Sequence, residues 1–325
     1  MDLPELRPLS LGELLDRTFT YYRRHFWLFV GIMAVPQVMI VAVNVLSQSL
    51  NGPLMPRPGT PASTTLAVGM FAGFAIGTIV MFLAYFVLYA LALGATTFAV
   101  SDVHLGRATT ARAAYRTMRG RFWRLVDLIF TVMIRMFLVF MLIVIVAMLG
   151  AVAIPAVGGP AGALVGGLLM LLALLGGMVF AVWLFLRYGV AVPALLLENL
   201  KAREAIKRSV VLTRNNLARV LLITFLMSMV AGTVASICQG PFFVALIVMT
   251  IKGHGAPPLW LTVPMNIAGG VGQALTGPLL MIGLVLLYYD IRVRKEGFDL
   301  QLMMSALDSR QVAPPRAGTD AMPAV

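Results

Sequence analysis

Six long apolar runs, separated by segments rich in arginine or in proline and glycine, dominate the chain. A helix needs about 20 consecutive apolar residues to span the hydrocarbon core of a bilayer. A transmembrane barrel would instead alternate polar and apolar residues in segments of about 10, and the sequence lacks this alternation. The pattern therefore predicts an all-α integral membrane protein with six transmembrane helices, at 26–50, 66–100, 125–154, 161–186, 217–251 and 259–289.

A short sequence recurs near the start of three of these runs. The first copy is RRHFWLFV at Arg23, the second is RGRFWRLV at Arg119, and the third, more divergent, is RNNLARVL at Arg214. Upstream, ELLDRT at Glu13 corresponds to EAIKRS at Glu204. Recurrence at a fixed period indicates repeated structural units. We therefore expect three tandem repeats, each an amphipathic helix followed by a transmembrane hairpin, at approximately 10–102, 107–198 and 201–290.

These units are expected to form one polytopic membrane domain over residues 1–309, in which the last helix extends to 309. The remaining residues, 310–325, have the sequence RQVAPPRAGTDAMPAV. Such a segment has too few apolar side chains to offset the entropy lost on ordering. We predict that it is a disordered tail.

Each unit is expected to begin with an amphipathic helix. In the first unit, Ser10 and Glu13 have the S-x-x-E spacing of a capping box, and apolar side chains recur after them at helical spacing. Helices of this kind commonly lie in the plane of the membrane interface. Docking on the cytoplasmic ends of the transmembrane helices explains the pattern equally well, so both arrangements stay open.

Charge sets the orientation of this apolar chain. Its 325 residues are 60% hydrophobic and 12% charged, the formal net charge is +12, and the mean hydropathy is +0.93. Except for Arg57, Arg135 and Lys252, all 25 lysines and arginines lie in the amino-terminal segment, in or beside the second and fourth inter-run segments, or after the last run. Because cytoplasmic loops are enriched in Lys and Arg, both termini are predicted to be cytoplasmic.

The same cations suggest partners. Basic residues beside membrane helices attract anionic lipid headgroups by about 1 kcal/mol each, and the sequence contains no recognisable nucleic-acid module. We therefore expect membrane lipids, and a protein partner on the cytoplasmic face, as ligands of this surface. Nucleic acid is not expected to bind.

Polar residues form two stripes within the predicted membrane helices. They are Gln37, Asn44 and Gln48 on the first helix and Asp127, Thr131 and Arg135 on the third. At about 1.5 Å per residue, Arg135 lies roughly 16 Å below Arg124, near the middle of a core about 30 Å thick. An arginine there costs about 2.5 to 3.5 kcal/mol. It indicates either a site for an anionic headgroup, phosphodiester or carboxylate, or an architectural contact with helix-end carbonyls or Asp127.

A carboxylate stands where the second membrane helix of each unit leaves the membrane. These acids are Asp102, Glu198 and Asp290. An acid at the carboxyl end of a helix opposes the helix dipole, so each is expected to have a cationic partner; Asp290 has Arg294 four residues later, and Arg292 likewise has Glu296. The acids form either a functional cytoplasmic ring or three capped helix ends. We favour the interpretation as three capped helix ends, because exposed ion pairs are common and weak.

Signatures of catalysis are missing from the sequence. It contains no H-E-x-x-H, no G-x-S-x-G and no P-loop motif. His25, His104 and His254 are predicted to lie on both sides of the membrane, which argues against a shared metal site. We therefore expect no enzymatic activity, no metal and no cofactor.

Three segments together resemble a known family. They are LRPLSLGELLDRTFTYYRRHF at 6–26, ALLLENLKAREAIKRSVVLTRNNLARVLLI at 194–223 and YYDIRVRKEGFDLQL at 288–302. They are similar to bacterial proteins with the glycerophosphoryl diester phosphodiesterase membrane domain. The resemblance implies a polytopic protein of the bacterial inner membrane that handles lipid-derived phosphodiesters.

The members that give the family its name join this membrane region to a catalytic barrel. Here about 35 residues follow Asp290, far fewer than the roughly 250 of a (β/α)₈ barrel. The resemblance is therefore to the membrane region only, and it transfers neither catalytic nor ligand-binding positions to this chain.

Three hypotheses for function follow. The first is a non-enzymatic scaffold or accessory protein that binds lipid or a lipid-derived phosphodiester. The second is a transporter or permease for a small anionic solute or lipid headgroup, since internal repeats occur in transporters and the two polar stripes would line its path. The third, an intramembrane enzyme, would need paired acids or a Ser/His pair at membrane depth, and Asp127 is the single buried acid predicted there.

Overall fold

A computed structural model describes residues 8–51, 64–252 and 258–297 of the protein, and in these ranges the backbone forms helices and no strand. The helices are α1 Leu11–Arg24, α2 Phe26–Asn51, α3 Thr64–His104, α4 Ala111–Arg119, α5 Phe122–Tyr188, α6 Ala191–Leu197, α7 Ala202–Thr213, α8 Leu217–Ile251 and α9 Leu259–Glu296. The predicted disordered tail at 310–325 lies outside the described residues. So does 298–309, the predicted extension of the last helix.

Six helical segments in the described ranges are long and apolar enough to cross a membrane. They are Phe26–Leu46, Phe82–His104, Phe122–Gly150, Leu164–Leu197, Leu217–Ile251 and Leu259–Glu296. Each overlaps one of the six predicted runs. The prediction of an all-α protein with six long apolar helices is therefore confirmed.

Helix α5 is a hairpin of two antiparallel arms, 122–158 and 160–188. Gly159 lies at the bend with φ 56° and ψ −143°, a conformation essentially reserved for glycine. On either side of it, Ile143 of the first arm packs against Gly177 of the second, and Arg135 is hydrogen-bonded to Tyr188. The second arm therefore runs back along the first.

Helix α9 forms the centre of the bundle, and α5 lies at its periphery. Ile282, Val285 and Leu287 of α9 are fully buried, and the helix packs against α1, α2, α3 and α8. By contrast, large apolar side chains such as Leu164 and Val179 on the second arm of α5 are exposed. Helices that are apolar all round and yet exposed are typical of surfaces that face lipid.

The short helices α1, α4, α6 and α7 lie at one end of the bundle, called here the polar end. Helix α1 begins with the predicted capping box: the Ser10 N–H donates to Glu13 Oε2 at 2.7 Å and the Glu13 N–H donates to Ser10 Oγ at 3.2 Å. Leu14 and Thr18 of α1 are buried, and so is Met118 of α4. Helices α1 and α4 therefore each pack one face on the long helices, whereas α6, with five of its seven residues buried, is enclosed on all sides.

A tyrosine of α4 completes the hydrogen bonding of α2. Pro36 has no N–H, so the Ile32 carbonyl four residues earlier has no donor within its helix. The Tyr115 hydroxyl donates to this carbonyl. Burial raises the pKa of Tyr115 to about 12, so the hydroxyl keeps its proton at neutral pH. The bond links the polar end to α2.

Replacing Tyr115 with phenylalanine is expected to lower the free energy of unfolding by about 1 kcal/mol, because the Ile32 carbonyl then has no donor in an apolar setting. Thermal unfolding of the purified protein in detergent measures this. Tyr85→Phe, at an exposed tyrosine of α3, is the control. Since the pKa of Tyr115 in the folded protein lies above the ordinary tyrosine value of 10.0, its stabilisation is present below pH 10 and is lost as the pH rises towards 12. Equal unfolding midpoints for the two variants would contradict the assignment.

Candidate functional site

The first arm of α5 and helix α7 border a cavity of about 520 Å³, lined by Asp127, Thr131, Ile134, Arg135, Arg203 and Lys207. Three of these six side chains are cations and one is an anion, so we call the space the cationic cavity. The stripe predicted on the third membrane helix faces this one space. The fold adds two cations from α7 that the stripe did not include.

Helix α7 presents two cations to the cavity because its opposite face is buried. Ala202, Ile206 and Ser209 are buried, whereas Arg203 and Lys207 are exposed. Residues four apart lie on one helix face, where two like charges destabilise the helix by about 0.2 to 0.5 kcal/mol. An anion bound between them would relieve this repulsion.

Two arginines fix the turn before α7 to the start of α5. Asn199 has a left-handed φ of 57°, and its side-chain oxygen accepts hydrogen bonds from Arg121 Nε at 3.1 Å and Arg124 Nη1 at 2.7 Å. Arg121 also donates to the Leu196 carbonyl at 3.1 Å. These bonds set the distance between α5 and α7, and with it the width of the cationic cavity.

Arg135 lies within the membrane-spanning part of α5 and is half-buried. Its Nη1 donates to the Tyr188 hydroxyl at 3.4 Å, a long hydrogen bond. The salt bridges among the described residues join other pairs and include neither Arg135 nor Asp127. Because arginine stays protonated in proteins, the cavity holds a positive charge at membrane depth and favours an anionic ligand.

The polar residues predicted on the first membrane helix line other spaces. Gln37 is 6% exposed and faces a cavity of about 390 Å³ between α2 and α9. Asn44 lines a cavity of about 280 Å³ between α2 and α3, and its amide donates to the Ile40 carbonyl at 3.1 Å. Gln48 Oε1 is buried and has no hydrogen-bond partner in the described part of the chain. None of the three lines the cationic cavity.

Glu198, which follows α6, is held by residues of α7 and α9. Arg208 Nε lies 3.0 Å from Glu198 Oε2, and the Tyr288 hydroxyl donates to Glu198 Oε1 at 2.7 Å. Glu296 binds Arg208 at 2.6 Å and Arg292 at 3.1 Å, so the predicted Arg292–Glu296 pair is confirmed. Burial lowers the pKa of Arg208, but hydrogen bonds and charges from Glu198 and Glu296 raise it by more, and the net shift is upward.

Asp290 joins the start of the described chain to its end. Its side chain is fully buried and lies 2.7 Å from Arg219 Nη1 and 3.1 Å from Arg294 Nε. The Leu9 N–H donates to Asp290 Oδ1 at 2.7 Å, and both arginines donate to the Leu9 carbonyl. The predicted Asp290–Arg294 pair is therefore confirmed, and the fold adds two partners from distant parts of the sequence.

The consecutive residues 288–290 of α9 contact three separate parts of the polar end. Their hydrogen-bond partners are Glu198 for Tyr288, Ser101 for Tyr289 and Arg219 for Asp290. Successive residues of a helix point about 100° apart, so the partners surround α9. Asp102, the third predicted helix-end acid, forms no salt bridge within the described ranges.

Comparison with known families gives a match to residues in the second half of the chain. Residues 166–297 match the model described as the membrane domain of glycerophosphoryl diester phosphodiesterase. This match confirms the family resemblance. The match to a membrane domain and the six long apolar helices together indicate a multi-pass membrane protein. No curated protein and no solved structure matches the chain.

The match to the glycerophosphoryl diester phosphodiesterase membrane domain covers most of the second arm of α5 and all of α6 to α9. It therefore includes Arg203 and Lys207 of the cationic cavity, together with Glu198 and Asp290. The stripe on the first arm precedes the matched residues. The cationic cavity thus lies between the matched residues and the helical arm that precedes them.

Proposed function

We propose that this multi-pass membrane protein is a non-enzymatic scaffold or accessory protein of the bacterial inner membrane, and that it binds an anionic phosphodiester in the cationic cavity. The phosphodiester belongs either to a lipid headgroup or to a soluble product derived from a lipid. The matched family is named after an enzyme that acts on phosphodiesters. This name supports a phosphodiester as the ligand.

The observation behind this proposal is the set of three cations, Arg135, Arg203 and Lys207, on one cavity with a single carboxylate, Asp127. A volume of about 520 Å³ falls within the range of roughly 300 to 1,000 Å³ for small-ligand sites. Guanidinium groups bind the paired oxygens of a phosphate with bidentate geometry. A phosphodiester therefore matches both the charge and the size of the space.

The distribution of polar residues supports a protein that binds its ligand over one that transports it across the membrane. A transporter needs a polar path between the two membrane faces. Gln37 and Asn44 of α2 line cavities against α9 and α3, whereas the stripe on α5 faces α7. Because the two stripes face different helices, we favour a binding protein.

The proposal places both termini and the polar end in the cytoplasm, and builds the chain from three repeats. The sided distribution of arginines supports the orientation. Corresponding residues support the repeats: Arg124 and Arg219 are each the sixth residue of their copy of the recurrent sequence. They bind Asn199 and Asp290 near the ends of the second and third units. We infer that these two bonds close equivalent units.

Replacing Arg203 and Lys207 together with glutamine is expected to weaken phosphodiester binding about thirtyfold, since each cation contributes about 1 kcal/mol. The probes are phosphatidylglycerol and its deacylated form, glycerophosphoglycerol. Native mass spectrometry of delipidated protein in detergent measures the fraction bound at each concentration. Binding of neither probe by the unmodified protein would contradict the proposed function.

Helix α4 supplies a matched control. Arg112 and Arg116 are also four residues apart and exposed, and they do not line the cationic cavity. The Arg112→Gln, Arg116→Gln variant loses the same charge and should bind the probes as the unmodified protein does. Asp127→Asn should instead bind more tightly, because it removes the one anion of the cavity. Equal weakening by both double variants would indicate nonspecific attraction.

A further inference from the structure

Tyr188 contacts a residue of the cationic cavity and also lines a second cavity. Its hydroxyl accepts the hydrogen bond from Arg135 Nη1 at 3.4 Å. Its side chain also lines a space of about 220 Å³ among α3, α5, α6, α8 and α9. The walls of this space include Tyr89, Leu128, Val132, Phe185, Tyr188 and Leu284, and none of its lining residues is charged. We call it the apolar cavity.

An apolar cavity of this size is expected to bind an apolar group. Protein interiors are packed as densely as organic crystals, and an empty cavity loses the contacts that its lining would otherwise make. Three of its fifteen lining residues, Tyr89, Tyr188 and Thr224, have hydroxyl groups, and the other twelve have no polar side-chain atom. Water needs two to four polar partners, so most of the space suits an apolar group better than water. In a bilayer, the abundant apolar groups are acyl chains.

The surface of α5 beside the cationic cavity is also apolar. Ile134 lines that cavity and is 39% exposed, and farther along the same arm Phe137 and Leu138 are 57% and 60% exposed. A ligand with its phosphate among the cations would therefore have apolar protein surface on two sides. This arrangement matches a molecule with one anionic group and long apolar chains.

We propose, on the basis of the proposed function, that the ligand is an anionic phospholipid and not a soluble phosphodiester. Its phosphodiester contacts Arg135, Arg203 and Lys207. One acyl chain enters the apolar cavity beside Tyr188, and the rest of the lipid lies along the exposed surface of α5. Tyr188 thus forms the boundary between the headgroup site and the chain site.

A comparison of ligands on the unmodified protein tests this inference. Dioctanoyl phosphatidylglycerol and glycerophosphoglycerol have the same phosphodiester headgroup, and the first alone has acyl chains. Dioctanoyl phosphatidylcholine has the same chains on a zwitterionic headgroup. By native mass spectrometry of delipidated protein, we expect phosphatidylglycerol to bind at least about tenfold more tightly than either of the other two.

A variant that fills the apolar cavity gives a second test. Val132 lines the apolar cavity and not the cationic cavity, so Val132→Phe should weaken the binding of phosphatidylglycerol about tenfold. Its affinity for glycerophosphoglycerol should not change. Val146→Phe makes the same substitution on the same arm, at a side chain 53% exposed, and serves as the control. If Val132→Phe does not fold, the ligand comparison decides alone.

The outcomes separate this inference from the proposed function. Equal binding of phosphatidylglycerol and glycerophosphoglycerol, unaffected by Val132→Phe, overturns the inference and leaves the proposed function standing. Binding of neither overturns both. Equal binding of phosphatidylglycerol and phosphatidylcholine means that the cations do not select the ligand, and that result also overturns both.

Discussion

Replacing Asp290 with alanine is expected to lower the free energy of unfolding by about 3 to 5 kcal/mol. The carboxylate is fully buried and binds Arg219, Arg294 and the backbone N–H of Leu9. Its removal leaves two guanidinium groups near one another without their anion, and leaves the Leu9 N–H without an acceptor. Breaking a buried pair is costly because the remaining charge stays uncompensated.

The loss should affect the whole polar end. Leu9 precedes α1, Arg219 lies in the first turn of α8, and Asp290 lies near the end of α9. The network therefore ties the described start of the chain to its last two long helices. Thermal unfolding in detergent, and limited proteolysis at the start of α1, measure the effect. We expect a lower unfolding midpoint together with faster cleavage near Leu9.

Asp102→Ala is the matched control for this prediction. Asp102 also stands near the carboxyl end of a long helix, α3, but it forms no salt bridge within the described ranges. An acid there opposes the helix dipole, so its removal should be neutral or stabilise by a few tenths of a kcal/mol, about 0.3. If both variants unfolded at the temperature of the unmodified protein, the Asp290 network would not stabilise the fold.

The sequence predicts local features of the polar end well and its long-range contacts poorly. The capping box of Ser10 and the pair between Asp290 and Arg294 follow from spacings of three and four residues, and the structure confirms both. The contact between Asp290 and Arg219 spans 71 positions. Spacing within one helix contains no information about such a contact, because it depends on how α8 and α9 pack.

The candidate site was likewise predictable in its local features and not in its long-range contacts. The spacing of Asp127, Thr131 and Arg135 predicts that they share one face of a helix, and they do line one cavity. From the sequence alone, Arg203 and Lys207 are predicted only to belong to the basic surface beside the membrane. Their spacing of four residues indicates that they share one face of α7, opposite its apolar positions. Only the fold shows that this face meets the stripe on α5.

Replacing Gly177 with leucine is expected to destabilise the α5 hairpin by about 3 kcal/mol. A Cβ atom at this position would lie 2.6 Å from Ile143 Cγ2, closer than real carbon contacts allow. Ile143 is β-branched and has few alternative rotamers within a helix, so the two arms must separate. Small residues permit close approach of membrane helices, where dispersion contacts are a main source of association.

Gly176→Leu is the control, because a Cβ atom at that neighbouring position meets nothing within 4 Å. It should be neutral or slightly stabilising, since glycine is about 1 kcal/mol less favourable than alanine in a helix. A double electron–electron resonance distance between spin labels at Leu149 and Leu168 should lengthen in Gly177→Leu alone. The same separation would move Arg135 away from Tyr188, so phosphatidylglycerol binding should weaken with it. Unchanged distances in both variants would mean that Ile143 and Gly177 do not hold the arms together.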